Sequence, residues 1–254
     1  MRIFYGQKLN TASLRAGELF SSSTTYDTYA ANVGNPHRTV VWKTGTSSAS
    51  EWLDLRFSAA VSATAFLIID HNLTVSDTLT LKANTTQSWG SPPFSQSITP
   101  VSGIIAKTFS SSSYRYWRLE ITKASAGDQK QIGVVMLCNY YDTPMQPDFD
   151  GYSEDLVDPS IVSKSYGGQT YVERLTQYRK ISTDFSGASQ SFVDSLKGIF
   201  QTVGNSGQLV LQVESSGSLT EYVYCRLANS FSRKVSGMDS ALVYDLSLDF
   251  EELL

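Results

Sequence analysis

Histidine residues are the first candidates for acid–base chemistry, and the 254-residue chain has only two, His37 and His71. His71 follows an apolar run in the segment Asp70-His71-Asn72, where its imidazole could take a proton from a serine in a Ser-His-Asp site. The Gly-x-Ser-x-Gly motif, which positions the nucleophile of many such hydrolases, is absent from the sequence. The pattern therefore favours a histidine that hydrogen-bonds a turn of its own domain over a catalytic histidine.

Paired carboxylates could serve a glycosidase, but the acidic pairs of this chain are neighbours in sequence. Glu154-Asp155 and Glu251-Glu252 would point to opposite faces of a strand, whereas hydrolysis needs two carboxyl groups about 5–9 Å apart across a cleft. The acidic residues 148–155 lack the spacing of a calcium loop. Neither Cys138 nor Cys225 has a Cys or His at metal-ligand spacing, so both are predicted to be buried free thiols. We expect no enzyme, no metal site and no cofactor.

Two segments offer side chains of the types that bind sugars, an aromatic ring beside polar groups. Trp89 lies in the turn-rich residues 85–94, and Asn35, His37 and Arg38 supply amide, imidazole and guanidinium groups in another segment. An exposed tryptophan can also contact a second subunit or cover its own domain. The predicted carbohydrate-binding residues are Trp89, Asn35, His37 and Arg38, with these two other interpretations of Trp89 left open.

The composition indicates that strands position these side chains. Aromatic residues make up 12% of the chain and charged residues 17%, which excludes a disordered or coiled-coil protein. Serine and threonine take the surface positions that lysine and glutamate occupy on helices. The net charge is −4 with no basic cluster, so nucleic acid is not the expected primary ligand. We also expect no membrane insertion, because no apolar run approaches the ~20 residues that span a bilayer.

A composition break divides the chain into two predicted domains. Residues 142–151 contain two prolines, a glycine and three aspartates, which break any regular structure. The balance of charge changes there, because 12 basic and 9 acidic residues precede Pro144 whereas 8 basic and 15 acidic residues follow it. We predict a first domain at residues 1–143, a linker at 144–159 and a second domain at 160–254.

Short alternating segments in the first half predict an antiparallel sandwich with a jelly-roll path. Leu53, Leu55 and Phe57 alternate with polar residues, as half-buried strands do, whereas residues 63–69 and 132–138 are apolar on both faces, as central strands are.

The motifs of this half, in their order, resemble the galactose-binding-like (discoidin-like) β-sandwich. A WLDLRF segment at residues 52–57 leads to the apolar residues 65–69, and an RYWRL segment follows at residues 115–119. The resemblance covers about residues 39–139. It implies a domain whose loops at one end often bind glycans, and which phage tail-fibre and baseplate proteins use as a docking module.

The second half predicts a hairpin, a helix and three strands. Residues 161–166 and 169–185 flank Gly167-Gly168 and indicate one long hairpin. Apolar residues recur at helical spacing from Phe192 to Val203, and Gly204 follows as a stop. Strands are predicted at residues 208–214, 221–231 and 241–250.

This order, closing on Leu248-Asp249-Phe250-Glu251-Glu252, resembles the ring-forming domain of phage tail-tube and distal-tail proteins. The fold class implied is a mainly β chain, with the sandwich followed by a tail-tube-like β-sandwich that has one α-helix and a long hairpin. In such domains a hairpin joins neighbouring subunits around a lumen. The residues then predicted for the ring interface or lumen are Tyr166, Tyr171, Glu173, Arg174, Tyr178 and Arg179.

Together the resemblances imply a structural, non-enzymatic component of a phage tail tip. Its ring would join the tail tube to the tip or baseplate, with the sandwich as a docking or glycan-contacting decoration. The alternative is a carbohydrate-binding or host receptor-binding module of a phage tail. The implied partners are further copies of the chain in a hexameric ring, the tail tube protein, the tail-tip hub protein and a host surface glycan, while DNA only passes through the lumen. The implied location is the virion, after assembly in the host cytoplasm.

Overall fold

The computed structural model describes residues 1–9, 19–21, 30–148, 150–213, 221–238 and 242–254. The prediction of a mainly β, antiparallel chain with one helix is confirmed for these residues. In chain order the elements are β1 (Arg2–Tyr5), β2 (Leu19–Ser21), a short 3-10 helix (Ala30–Gly34), β3 (Trp42–Lys43), β4 (Ser50–His71), β5 (Thr78–Asn84), β6 (Phe94–Ile98), β7 (Ile105–Thr122), β8 (Gln131–Asp142), β9 (Tyr152–Val157), β10 (Ile161–Lys164), β11 (Thr170–Glu173), β12 (Tyr178–Ser189), α1 (Gln190–Val203), β13 (Gln208–Gln212), β14 (Tyr222–Leu227), β15 (Arg233–Met238) and β16 (Leu242–Glu252).

The chain forms two units that differ from the predicted domains. Unit 1 contains Met1–Gly6 and Tyr141–Leu254, and unit 2 contains Gln7–Tyr140. The first residues belong with the C-terminal half because β1 pairs antiparallel with β13, with Phe4 opposite Val210. The predicted linker also contains a strand, β9, which pairs with β12. Strand partners that are distant in sequence leave no local pattern, so the composition break alone could not place either strand.

Two long strands, β4 and β7, give unit 2 its two layers. The first part of β4 pairs with β2 and the last part of β7, which pairs in turn with β5. The last part of β4 pairs with the first part of β7 and with β8. The register shifts between Arg56 and Val61, where β4 passes from one group of pairings to the other. Such irregularities bend strands and increase their twist.

The core of unit 2 lies between these layers. Leu53, Leu55 and Phe57 are buried in it, as their alternation predicts, together with Trp117 from β7. The apolar residues 63–69 are buried on both sides of the strand except for Thr64, which is half-buried. This confirms β4 as a central strand in its second part.

A group of buried charges closes one end of unit 2. The Lys123 ammonium has no solvent exposure, donates to the carbonyl oxygens of Gly45 (2.7 Å) and Ala126 (3.1 Å), and lies 3.8 Å from a Glu51 carboxylate oxygen. Close by in sequence, Lys130 lies 3.0 Å from the buried carboxylate of Asp77. Buried charges persist only when paired and hydrogen-bonded, so these contacts hold the loops that follow β3 and β7.

We expect Asp77 to make unit 2 sensitive to acid. Burial by itself raises the pKa of Asp77, but hydrogen bonds from the Thr74 backbone, the Lys130 ammonium and the Ala124 backbone outweigh burial and bring the pKa below its usual value. A depressed carboxyl pKa stabilises the folded state above the unfolded-state pKa of about 4, and this stability is lost as the pH falls further. Urea unfolding at pH 7 should give a lower free energy of unfolding for Asp77→Asn than for the parent. At pH 3 this difference between the variant and the parent should be smaller. A difference that is equal at both values would contradict the assignment.

Unit 1 packs the helix against one antiparallel sheet. The strand order is β1-β13-β14-β16-β12-β9, and β15 pairs with β16. The Ser189 hydroxyl accepts from the Phe192 N–H at the start of α1, and Gly204 ends it with a positive φ of 61°. The helix residues predicted to be apolar are buried against the sheet, apart from Phe200, which is half-buried.

The predicted long hairpin is present and begins earlier than expected. Its base is the pairing of β9 with β12, and its end is the pairing of β10 with β11, with irregular residues 158–160 and 174–177 between them. We call residues 161–173 the arm. The turn of the arm is closed by the Ser165 N–H, which donates to the Gln169 carbonyl (2.8 Å), and Gly168 has a φ of 83°. Three strands were predicted after α1, and the structure describes four, since β15 was not predicted. Strands β13 and β14 end before the predicted residues do, and positions 214 and 241 lie outside the described residues.

Both cysteines are buried and free, as predicted. Burial raises the thiol pKa of Cys138 and of Cys225 far above the usual value, so neither is a ready nucleophile. Among the described residues, none of the helices has the length and apolar character required to cross a membrane.

Candidate functional site

One side of unit 2 carries aromatic and charged residues where β4, β5 and β7 lie side by side. Leu53 and Leu55 face the core, so the residues that alternate with them in β4 lie on the opposite side of the strand. The register of β4 with β7, and of β7 with β5, places residues of β7 and β5 beside these outward-facing residues. We call this side the outer face. Its members are Trp52, Asp54, Arg56, Lys82, Tyr116, Arg118 and Glu120, and Trp89 joins them from the β5–β6 loop.

A buried carboxylate anchors the outer face. Asp54 has no exposed side-chain surface, and its two oxygens accept from Nε (2.5 Å) and Nη2 (3.0 Å) of Arg118, which lies directly opposite on β7. Arg56 donates to the same carboxylate at 3.1 Å. A bidentate pair fixes the plane of the guanidinium as well as its position. Arg118 is therefore a rigid part of the surface.

Two tryptophans pack on this guanidinium. The centre of Arg118 lies 4.3 Å from the centroid of the Trp52 ring and 4.5 Å from that of Trp89. Both distances are within the range of cation–π attraction. Both tryptophans are half-buried, so each residue keeps some solvent-accessible surface. The arrangement presents two aromatic surfaces beside fixed polar groups.

The loop that carries Trp89 is held by Asn84 at the end of β5. The Asn84 amide nitrogen donates to the Ser88 carbonyl (2.6 Å), and its amide oxygen accepts from the Thr85 N–H (2.7 Å). Asparagine closes turns in this way because its side chain imitates a backbone group. Trp89 is thus placed by its loop as well as by Arg118.

The other predicted sugar-binding residues lie in a different set of contacts. Arg38 forms a two-bond ion pair with Asp70, near the opposite end of β4 from Trp52. The Asn35 side chain accepts from the His37 N–H (2.9 Å), and the His37 side chain is exposed. The guanidinium of Arg38 is thus engaged by Asp70, a residue with a positive φ of 54°. Trp89 therefore shares Arg118 with Trp52, whereas Arg38 pairs with Asp70.

His71 takes the structural role that its sequence context favours. Its Nδ1 accepts from the Leu73 N–H at 3.1 Å, in the turn that follows β4. Burial lowers the pKa of His71, so the ring is neutral at pH 7. Among the described residues there is no group of three or more His, Cys, Asp or Glu side chains that could hold a metal ion.

The predicted hairpin residues fall into an exposed set and an engaged set. Tyr166 at the tip of the arm is fully exposed, and Tyr171 and Glu173 are exposed along it. Arg174 lies in the irregular stretch after β11, also exposed, and Tyr178 is half-buried at the start of β12. Arg179 belongs to the sheet of unit 1, where its side chain pairs with Glu252, Glu221 and Glu154.

An apolar gap in unit 1 is too small for a ligand. It lies between α1 and the sheet, has about 10 Å³ of free space, and is lined by side chains that include Ile3, Leu196 and Phe250. A cavity of this size is at the lower limit for one water molecule, and a water needs polar partners.

Sequence reasoning selected Trp89 but missed Trp52, Asp54 and Arg118. The missed signal is Asp54, which lies between Leu53 and Leu55 in a strand where Trp52 is the preceding outward-facing residue. A charge at the middle of a half-buried strand needs a partner from a neighbouring strand, and the RYWRL segment supplies an arginine at an outward position. That pairing depends on the register between β4 and β7, which neither strand specifies alone.

Comparisons with known proteins give matches to solved structures only. No family model matches the sequence, and no curated protein matches it. The chain is similar to chitosan-binding module 1 of a chitosanase/glucanase from Paenibacillus sp. IK-5, with 14% identity, 53% of this chain and 98% of the module covered, and a TM-score of 0.43. It is similar to a fucose-binding module of Streptococcus pneumoniae, with 13% identity, 48% and 91% coverage, and a TM-score of 0.40.

A third similar structure is the family 32 carbohydrate-binding module of C. perfringens NanJ in complex with galactose, with 12% identity, 56% of this chain and 100% of the module covered, and a TM-score of 0.41. These neighbours are carbohydrate-binding modules of β-sandwich type. At such identities and TM-scores the matches do not assign a family or a ligand to this chain.

Proposed function

We propose that the protein binds carbohydrate through the outer face of unit 2. The observation that carries this proposal is the placement of Trp52 and Trp89 on the guanidinium of Arg118. Sugars are bound where an aromatic surface for the apolar side of the ring lies beside fixed hydrogen-bonding groups for its hydroxyls. The outer face supplies both.

Pre-organisation supports the same assignment. Asp54 holds Arg118, and Asn84 holds the Trp89 loop, so few side chains need to be ordered when a ligand arrives. Binding that immobilises fewer groups loses less free energy to conformational entropy.

The test is glycan binding by the full chain and by two alanine variants. A glycan array identifies a ligand, and titration calorimetry then measures its affinity for the parent, Trp89→Ala and Tyr166→Ala. We expect Trp89→Ala to weaken binding at least tenfold, which corresponds to about 1.4 kcal/mol. Tyr166→Ala removes a fully exposed aromatic side chain from unit 1 and should leave the affinity unchanged. If no glycan binds, or if Trp89→Ala binds as the parent does, the outer face is not the site.

We also propose a second function, assembly into a ring of a phage tail tip, which rests on the arm. All eight residues of β10 and β11 are exposed, and they include Ile161, Val162, Tyr171 and Val172. A two-stranded ribbon is marginal alone in water, and its edges offer unpaired N–H and C=O groups to another chain. Further copies of the chain would cover these residues, with the tail tube and hub proteins as the axial partners.

Deletion of residues 165–171 tests this second function. We expect the parent to form rings by mass photometry and the deletion variant to remain monomeric, with the α1 signal in far-ultraviolet circular dichroism retained. A parent that is monomeric at micromolar concentration would contradict the ring, and a variant that assembles like the parent would show that the arm is not the contact.

A further inference from the structure

The outer face carries more positive than negative charge, in a chain whose net charge is −4. Its basic side chains are Arg56, Lys82 and Arg118, and Arg115 lies next to its member Tyr116, with the guanidinium 5.2 Å from the centroid of the Tyr116 ring. Its acidic side chains are Asp54 and Glu120. The surface therefore has an excess of positive charge where the chain as a whole is negative.

Ion pairs determine where this excess lies. Asp54 is completely buried, so its carboxylate meets Arg118 and Arg56 and does not meet a ligand. Glu120 is the acidic side chain of this set with exposed surface, and its carboxylate lies 2.7 Å from the Lys82 ammonium. Arg115 is exposed and is anchored by its Nε, which donates to the Phe57 carbonyl at 2.8 Å. The carboxylates of Asp54 and Glu120 thus balance Arg118 and Lys82, and the positive excess lies at Arg56, which shares Asp54 with Arg118, and at the exposed Arg115.

The guanidinium geometry adds direction to this charge. Asp54 occupies the edge of Arg118 formed by Nε and Nη2, so Nη1 points to the side away from the carboxylate. Trp52 and Trp89 border the same guanidinium. A planar arginine beside aromatic surfaces is suited to a carboxylate or sulfate attached to a sugar ring.

We infer that the ligand of the outer face is an anionic saccharide, a sugar polymer that carries carboxylate or sulfate groups. This inference rests on the proposed function and adds the chemical class of the sugar. The positive charge of the outer face would attract the carboxylate or sulfate group, and the two indoles would pack against the sugar ring that carries this group. A neutral sugar would leave the positive excess without a counterpart, and a polyanion without rings would leave the indoles without one.

The experiment compares anionic saccharides with uncharged polymers of the same sugar backbone and with an anionic polymer that has no sugar rings. Polygalacturonate is set against methyl-esterified polygalacturonate, and dextran sulfate against dextran, with poly-glutamate as an anionic polymer that has no sugar rings. We expect the full chain to bind at least one of the two anionic saccharides more than tenfold tighter than its neutral counterpart and more than tenfold tighter than poly-glutamate. Which of the two it prefers distinguishes carboxylate from sulfate.

Two variants tie the preference to the outer face. Arg115→Gln should lower the affinity for the preferred anionic saccharide several-fold and reduce its dependence on salt concentration, because one ionic contact is lost. Lys180→Gln, which removes a charge from an exposed position in unit 1, should change neither. Equal binding of poly-glutamate, or no binding of either anionic saccharide, would overturn the inference. Preferential binding of a neutral polymer that is lost in Trp89→Ala would overturn it while the proposed function stands.

Discussion

Replacement of Lys123 by methionine should lower the free energy of unfolding of unit 2 by about 3–5 kcal/mol, the usual cost of breaking a buried ion pair. The ammonium is completely buried, and its removal would take one donor from each of the carbonyls of Gly45 and Ala126 and one counter-charge from the Glu51 carboxylate. Methionine fills a similar volume, so the loss reports the interaction more than the packing.

The unfolding of unit 2 can be followed without interference from unit 1. All four tryptophans of the chain, Trp42, Trp52, Trp89 and Trp117, lie within Gln7–Tyr140. Urea titration monitored by tryptophan fluorescence therefore measures the unfolding of this unit. The control is Lys107→Met, at a half-exposed position on β7, for which we expect the free energy of unfolding to change by less than about 1 kcal/mol.

A double variant separates the ion pair from the backbone contacts. The double variant Glu51→Gln/Lys123→Met should lose less free energy of unfolding than the two single variants lose in sum. Glu51→Gln alone leaves the Lys123 charge buried, and Lys123→Met then removes that charge. If Lys123→Met unfolds at the urea concentration of the parent, the ammonium does not hold this end of unit 2.

Replacement of Asp54 by alanine should cost unit 2 about 3 kcal/mol and also abolish glycan binding. Arg118 and Arg56 would both lose the carboxylate that neutralises them, and the guanidinium that the two indoles contact would no longer be fixed. The same urea titration measures the first effect, and calorimetry at a temperature where the variant is folded measures the second.

The matched control is Glu120→Ala on the same face. Glu120 is partly exposed and pairs with Lys82, and a surface pair of this kind contributes at most about 1 kcal/mol. Similar unfolding midpoints for Asp54→Ala and Glu120→Ala would show that burial of Asp54 does not decide the stability of the face.

Local patterns predicted the elements whose signals are contained in a few residues. The alternation of Leu53, Leu55 and Phe57 predicted a half-buried strand, and the spacing from Phe192 to Val203 predicted α1 together with its end at Gly204. In each case the periodicity of the backbone alone decides which side chains meet the core.

Features that depend on partners distant in sequence were not predictable in the same way. Tyr152–Val157 has exposed residues at most positions and acidic side chains, so only its pairing with β12 makes it a strand. The candidate site has the same property, because Trp89 and Trp52 meet through Arg118 on a third segment. Sequence patterns supplied the residue types, and the strand register supplied their juxtaposition.

The pairing of β1 with β13 determines when β1 can be buried while the chain is synthesised on the ribosome. Phe4 is completed long before its partner Val210, and at about 5–20 residues per second the intervening stretch takes about 10–40 s to translate. All of Gln7–Tyr140 emerges during this wait, so unit 2 can fold first while Ile3 and Phe4 still lack the sheet that buries them. A chaperone that binds short apolar segments would therefore have access to these residues throughout this interval.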